Sequence, residues 1–156
     1  LRAFSLILQE HPRSLLLICG SGPLRNQLEE QAEVLRIKSQ VRFLGHRDDL
    51  YDVISVFDLF VLTSAHEGIP MVLLEAMALG VRVVAPAVGG IPEIADMHQA
   101  VLVDPPTPEK FSQLISKELH LMRSMGFRER TNSPHVVSAY ETARETARIY
   151  ESLITA

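Results

Sequence analysis

Five short apolar runs, each followed by a turn and then by helical periodicity, constrain this chain more than any other feature. They span residues 14–19 (SLLLIC), 41–44 (VRFL), 58–63 (DLFVLT), 81–85 (VRVVA) and 100–103 (AVLV). Runs this short and this apolar read as strands buried on both faces. The intervening segments, 24–36, 49–57, 71–79, 91–95 and 108–125, read as helices, and residues 1–10 supply one more before the first strand. Strands that alternate with helices form a parallel sheet with helices on both faces. The expectation is an α/β domain with about five parallel strands. A polar loop over 128–134 and a last helix over 136–153 complete the pattern.

Composition narrows the function classes. The chain has 156 residues, 47% hydrophobic and 22% charged, which suits one domain with a proper core. Its net charge of -4 argues against nucleic acid, which wants a basic face. The single cysteine, Cys19, lies inside an apolar run and cannot form an internal disulfide. It reads as a small core residue in a reducing, cytoplasmic compartment. No apolar stretch approaches the roughly 20 residues that span a bilayer, and no signal peptide is visible. Because Leu1 already lies in a helical pattern, the natural N-terminus is expected upstream.

In sheets of this kind ligands bind beyond the carboxyl ends of the strands. Four loops on that edge carry glycine: Gly20 with Gly22, Gly45, Gly68, and Gly89 with Gly90. Glycine lets a ligand approach the backbone amides, although each could also simply make a short turn. Glu75 is the most telling residue. Its neighbours in the segment MVLLEAMAL are all apolar, so the helix is expected to be buried nearly all round. A carboxylate there needs hydrogen bonds, and a vicinal diol such as ribose offers two donors to its two oxygens. Capping by backbone amides or pairing with an arginine is the alternative. Pro70 fits the first helical position. The amides around Gly68, Ile69, Pro70, Met71 and Val72 then make an anion site at a helix N-terminus that suits a diphosphate. On that arrangement Glu67 faces a sugar and Glu75 a ribose; taken alone, Glu67 is a solvated loop acid.

Several chemistries find no support in the sequence. The block Gly20-Ser21-Gly22-Pro23-Leu24-Arg25 begins like a dinucleotide fingerprint but lacks the third glycine, and no acid ends the second strand to hold a ribose. There is no Walker A motif, no HExxH and no nucleophile elbow. The six histidines show no ligand spacing, so no protein-bound metal is expected. His46 and His66 fall on the ligand edge as polar loop residues. His11, His98, His120 and His135 read as surface.

The segment Ser64-Ala65-His66-Glu67-Gly68-Ile69-Pro70-Met71-Val72-Leu73-Leu74-Glu75-Ala76-Met77-Ala78-Leu79-Gly80 resembles the Glu-x7-Glu motif of the retaining family-4 glycosyltransferases. Gly20-Ser21-Gly22-Pro23-Leu24, Val41-Arg42-Phe43-Leu44-Gly45 and Gly89-Gly90-Ile91-Pro92-Glu93-Ile94 resemble its other blocks in the same order, so the likeness spans about residues 1–120. The resemblance implies the Rossmann-like, three-layer α/β/α C-terminal half of a GT-B architecture, with residues 1–156 as one donor-binding domain and the N-terminal acceptor domain absent. It implies that Glu75 binds the ribose hydroxyls and that Glu67, the catalytic candidate, contacts the donor sugar. It implies that amides at Ile69 to Val72 hold the diphosphate, and that Gly45, His46 and Arg47 border the base, with Gly20 and Gly22 on the same edge. It also implies a UDP- or GDP-sugar donor, no cofactor, no metal, and a glycan or lipid-linked acceptor. Two departures matter: the arginine and lysine that neutralise the diphosphate in such enzymes precede the first helix of this chain, and the acceptor domain is absent. A smaller departure is Arg82, which stands where the family often has proline. The isolated chain is therefore expected to be inactive alone. Membrane attachment is left to the missing half. Two other readings stay open: a noncatalytic sugar-nucleotide-binding module, and half of a nucleotide-sugar epimerase, against which the Glu-x7-Glu context argues. The last helix is expected to reach back to the partner domain.

Overall fold

The computed structural model describes residues 1–98 and 100–124. The elements run α1 (Arg2–Glu10), β1 (Leu16–Cys19), α2 (Arg25–Val34), β2 (Val41–Gly45), α3 (Leu50–Ser55), β3 (Leu59–Val61), α4 (Met71–Ala78), β4 (Arg82–Pro86), α5 (Ile91–His98), β5 (Val101–Val103) and α6 (Pro108–Ser124). A 3-10 turn at Lys38–Gln40, which the sequence pattern does not announce, leads into β2. The loop and helix expected over 128–153 lie outside the described residues.

All strand pairs are parallel, as the alternation requires. The hydrogen-bonded ladder is split, however, into β1-β2 and β3-β4-β5, where the sequence predicts one sheet. Side chains join the two halves. Leu16 and Ile18 of β1 and Val41 of β2 share one apolar cluster with Leu59 and Val61 of β3, Val84 of β4 and Val103 of β5. Phe4 and Ile7 of α1 and Phe111 and Ile115 of α6 cover that cluster. On the opposite face Val83 and Ala85 pack with Ile54 of α3, Leu73, Leu74 and Ala76 of α4, and Ile91 and Ile94 of α5. Successive β4 side chains point to opposite faces, so one strand feeds both cores and fixes a three-layer α/β/α arrangement.

Local signals decide where helices stop. At the end of α4 the Gly80 amide bonds the Met77 carbonyl at 2.9 Å and the Val81 amide the Ala76 carbonyl at 3.0 Å. This is a Schellman cap, and Gly80 takes the left-handed φ of 69° that it needs. The same pair of bonds closes α2, from Arg36 to Glu33 and from Ile37 to Ala32, both at 2.9 Å. There the left-handed residue is Arg36, at φ 58°. At the start of α6, Pro108 occupies the first helical position, and the Thr107 hydroxyl accepts from the Lys110 amide at 3.2 Å.

Four expectations need correction. Leu24, expected as the first residue of the helix over 24–36, is its exposed N-cap, and Ala32 is the one buried residue of α2. Pro70 is the N-cap of α4, with ψ 114°, one position before the first helical residue. The α4 helix is not buried all round: Leu73, Leu74 and Ala76 are, but Met71 is 44% exposed, and Val72, Glu75 and Met77 are half-buried. Its more open side carries apolar side chains beside Glu75, so the sequence pattern there looks the same as that of a core-facing side. His11, expected at the surface, is fully buried. Its position after the last turn of α1 puts it beneath α6, a long-range contact that local periodicity does not encode. No described helix is long and apolar enough to cross a membrane.

Candidate functional site

The loops that follow β1 and β2 meet directly. The Gly20 amide donates to the Gly45 carbonyl at 2.7 Å, closing the two strand ends. Gly45 sits at φ +71° in doing so, a conformation other residues rarely adopt. Gly20 and Gly22 face open space, with no atom within 4 Å of where a side chain would begin. The two glycines leave room above this edge that nothing in the described chain fills.

Cations on the same edge are tied to neighbours. Arg47 chelates Asp49 with its guanidinium, one bond being 2.6 Å, and this pairing holds the Asp49 carboxyl below its ordinary range. His46 lies 3.5 Å from Asp48 and is exposed. Arg25, not singled out by the sequence pattern, lies over the Phe43 ring at 5.6 Å and pairs with Glu29 at 2.8 Å. Cys19 ends β1 beneath this loop, and burial pushes its thiol pKa up, so it rests as the neutral thiol.

The loops after β3 and β4 form a second contact. The Gly90 amide donates to the Gly68 carbonyl at 3.2 Å. A methyl group on Gly89, at φ +57°, would begin 1.8 Å from the carbonyl oxygen of Glu67. Backbone thus lies on backbone, and Gly89 and Gly90 brace the loop that carries Glu67. In the sequence these glycines belong to the ligand edge, but no local pattern distinguishes a strut from a turn. Gly68 itself faces open space. The half-buried Glu67 side chain makes no hydrogen bond or ion pair among the described residues.

That loop delivers the chain into α4. The Pro70 carbonyl accepts the Leu73 amide at 3.0 Å, and no side chain caps the helix. The first-turn amides of Met71 and Val72 have no acceptor within a helix, by geometry. They carry the positive end of the helix dipole beside Gly68 and Ile69. Ile69 and Met71 are exposed around them.

One turn further on, the Tyr51 hydroxyl donates to Oε1 of Glu75 at 3.0 Å. Tyr51 belongs to the first turn of α3, a few residues after the Gly45–Asp49 loop, so this bond ties the β2 loop region to α4. The carboxylate that accepts the proton raises the Tyr51 pKa above its ordinary value. Glu75 therefore has a partner that the sequence does not announce: neither a backbone amide nor an arginine, but a phenol. Oε2 of Glu75 has no partner among the described residues. The structure brings Glu75 to Tyr51 and Glu67 to Gly89; it records no direct contact between Glu67 and Glu75.

Parallel strands, crossover helices on both faces and glycine-lined loops at the strand C-termini define a Rossmann-like α/β domain of the GT-B kind. Residues 1–132 match the family described as "Glycosyl transferases group 1", and the chain belongs to that family. It is 36% identical over 153 residues to an N-acetyl-alpha-D-glucosaminyl L-malate synthase of Bacillus anthracis, covering 90% of this chain and 39% of that protein. Among solved structures it is similar to Anabaena HepE in complex with UDP-glucose, with TM-score 0.69 and 23% identity over 98% of this chain and 45% of the other. A further similar structure is WaaG, a glycosyltransferase involved in lipopolysaccharide biosynthesis, with TM-score 0.68 and 22% identity over 99% of this chain and 38% of the other. The chain thus spans about two fifths of the length of the first relative, at 39%.

Proposed function

We propose that this chain is the donor-binding part of a glycosyltransferase and takes a nucleoside-diphosphate sugar. The observation that carries the reading is the half-buried Glu75. Tyr51 holds one of its carboxylate oxygens, and the other is without a partner among the described residues, beside the uncapped first turn of α4. A ribose diol donates to such a carboxylate, and a diphosphate accepts from such a helix end. Glu67, on the loop braced by Gly89, contacts the sugar. Gly45, His46 and Arg47 border the base, with Gly20 and Gly22 leaving space beside it.

The donor is a UDP-sugar. In support, the similar HepE structure is described in complex with UDP-glucose. The transferred sugar goes to a glycan or lipid-linked acceptor, with retention of configuration and without a catalytic metal. An acceptor domain elsewhere in a longer protein completes the cleft and supplies the cations that neutralise the leaving diphosphate, a large electrostatic contribution to such transfers. The reaction is cytoplasmic, consistent with a lone cysteine within a strand. Glu67 and Glu75 both being present favours a live site over a noncatalytic binding module.

Calorimetric titration of the 156-residue chain with UDP, GDP and ADP, each with and without its sugar, tests the reading. UDP is expected to bind best. Glu75→Ala is expected to weaken it by about 1–3 kcal/mol, the cost of losing a charged hydrogen-bond acceptor. Equal affinity of the variant and the parent for every nucleotide would remove Glu75 from the site.

A further inference from the structure

A second cluster of chemistry-bearing side chains lies away from these loops, between α1 and α6. His11 is fully buried, and neither of its ring nitrogens makes a well-aligned hydrogen bond among the described residues, although the Ser116 backbone lies near enough to act on the ring. Buried polar side chains are nearly always satisfied, so such a ring calls for an explanation, an ion being one. The His120 ring lies 4.7 Å from it, centroid to centroid, at 54°. His120 Nε2 is 3.7 Å from Glu10 Oε2. One ligand atom from each of Glu10, His11 and His120 falls within 4.8 Å of the others.

We propose that Glu10, His11 and His120 form a site for a divalent zinc-type ion that ties the end of α1 to α6. Two imidazoles and one carboxylate are a common zinc donor set, with bonds of about 2.0–2.2 Å, which puts tetrahedral ligand atoms roughly 3.3 Å apart. The observed spread is wider, and the two ligands that must close it, Glu10 and His120, are exposed and free to change rotamer. The fixed ligand is the buried one. A ligating imidazole must be neutral. Among the described residues three ligands converge, which leaves a position for water.

The ion has no part in sugar transfer. The end of α1 feeds the beginning of β1, on the sheet edge opposite the glycine-lined loops. Its effect is to hold α1 on α6, whose Phe4, Ile7, Phe111 and Ile115 share one core. The Arg123 guanidinium acts on the His11 ring and repels a cation there, so it limits affinity.

The test uses the untagged 156-residue chain, stripped with chelator and titrated with Zn2+ against a competing chromophoric chelator, with Co2+ absorption as a second readout. One tight equivalent is expected, with a rise in Tm and the intense visible bands of tetrahedral Co2+. His120→Ala and Glu10→Gln alter exposed positions and keep the fold; each is expected to weaken binding about tenfold or more, in line with the cost of disturbing a metal shell. Arg123→Gln is expected to tighten it. Parent affinity no higher than that of His120→Ala, or a Co2+ spectrum like that of the hydrated ion, overturns the proposal.

Discussion

The Tyr51 hydroxyl reaches Oε1 of Glu75 at 3.0 Å across 24 positions of sequence, and this one bond connects α3 to the carboxylate proposed to bind ribose. Because Tyr51 is 40% exposed, its hydroxyl contributes little to stability and mainly orients Glu75. Tyr51→Phe is expected to leave Tm nearly unchanged and to weaken UDP binding by about 1 kcal/mol, a typical single hydrogen bond. The raised phenol pKa supplies an independent readout. An ionised carboxylate opposes phenolate formation, so Glu75→Gln should let Tyr51 deprotonate at lower pH. A Tyr51 titration identical in the two proteins would contradict the bond.

The proposed function puts Glu67 on the sugar and Glu75 on the nucleoside, so their variants should separate. Glu67→Ala is expected to leave UDP affinity within about twofold while abolishing the extra affinity contributed by the sugar, on the order of 1 kcal/mol per lost hydrogen bond. Calorimetry with UDP and UDP-sugar side by side reads this difference. Equal loss for both ligands would move Glu67 to the nucleoside, because a carboxylate finds no donor on a diphosphate.

Gly89 supports the Glu67 loop through contact of backbone on backbone. A methyl at that position begins 1.8 Å from the Glu67 carbonyl oxygen, at a φ of +57° that side chains disfavour. Gly89→Ala should cost about 2–4 kcal/mol, combining left-handed strain with overpacking. Urea denaturation measures it. The surviving folded fraction should also bind the sugar part of the donor more weakly, because the loop carrying Glu67 must shift.

Arg82 stands at the start of β4, beside a buried acid of α6. Its Nη2 lies 2.7 Å from Oε2 of Glu118, whose side chain is only 7% exposed. The distance is that of an ion pair, although Oε2 makes no aligned hydrogen bond. Arg82→Ala leaves a buried carboxylate unpaired and should destabilise by about 1–3 kcal/mol, below the cost for a fully buried pair because Arg82 is itself partly in water. Glu118→Met should be near neutral. A denaturant series on both variants distinguishes this pair from a solvent-screened one.

Arg36 closes α2 in a conformation that suits glycine. Relieving the left-handed strain with Arg36→Gly should stabilise the chain by about 1 kcal/mol, less the added entropy of the unfolded glycine. Thermal melts of the two proteins test the sign.

The alternation of apolar runs with helical segments determined the parallel α/β class, because strand and helix periods are local properties of the chain. It located the five described strands to within a few residues. The spacing of Glu67, Gly68, Pro70 and Glu75 singled out one loop-to-helix junction at the strand C-termini, because parallel strands put their loops there. Sequence could not decide which atoms meet across that edge. That Tyr51 holds Glu75, that Gly89 braces Glu67, that Arg82 answers Glu118 and that His11 lies buried under His120 are contacts between residues far apart in sequence. Such contacts leave no period and no motif. They are set by how helices pack on the two faces of the sheet, and so only the tertiary structure decided them.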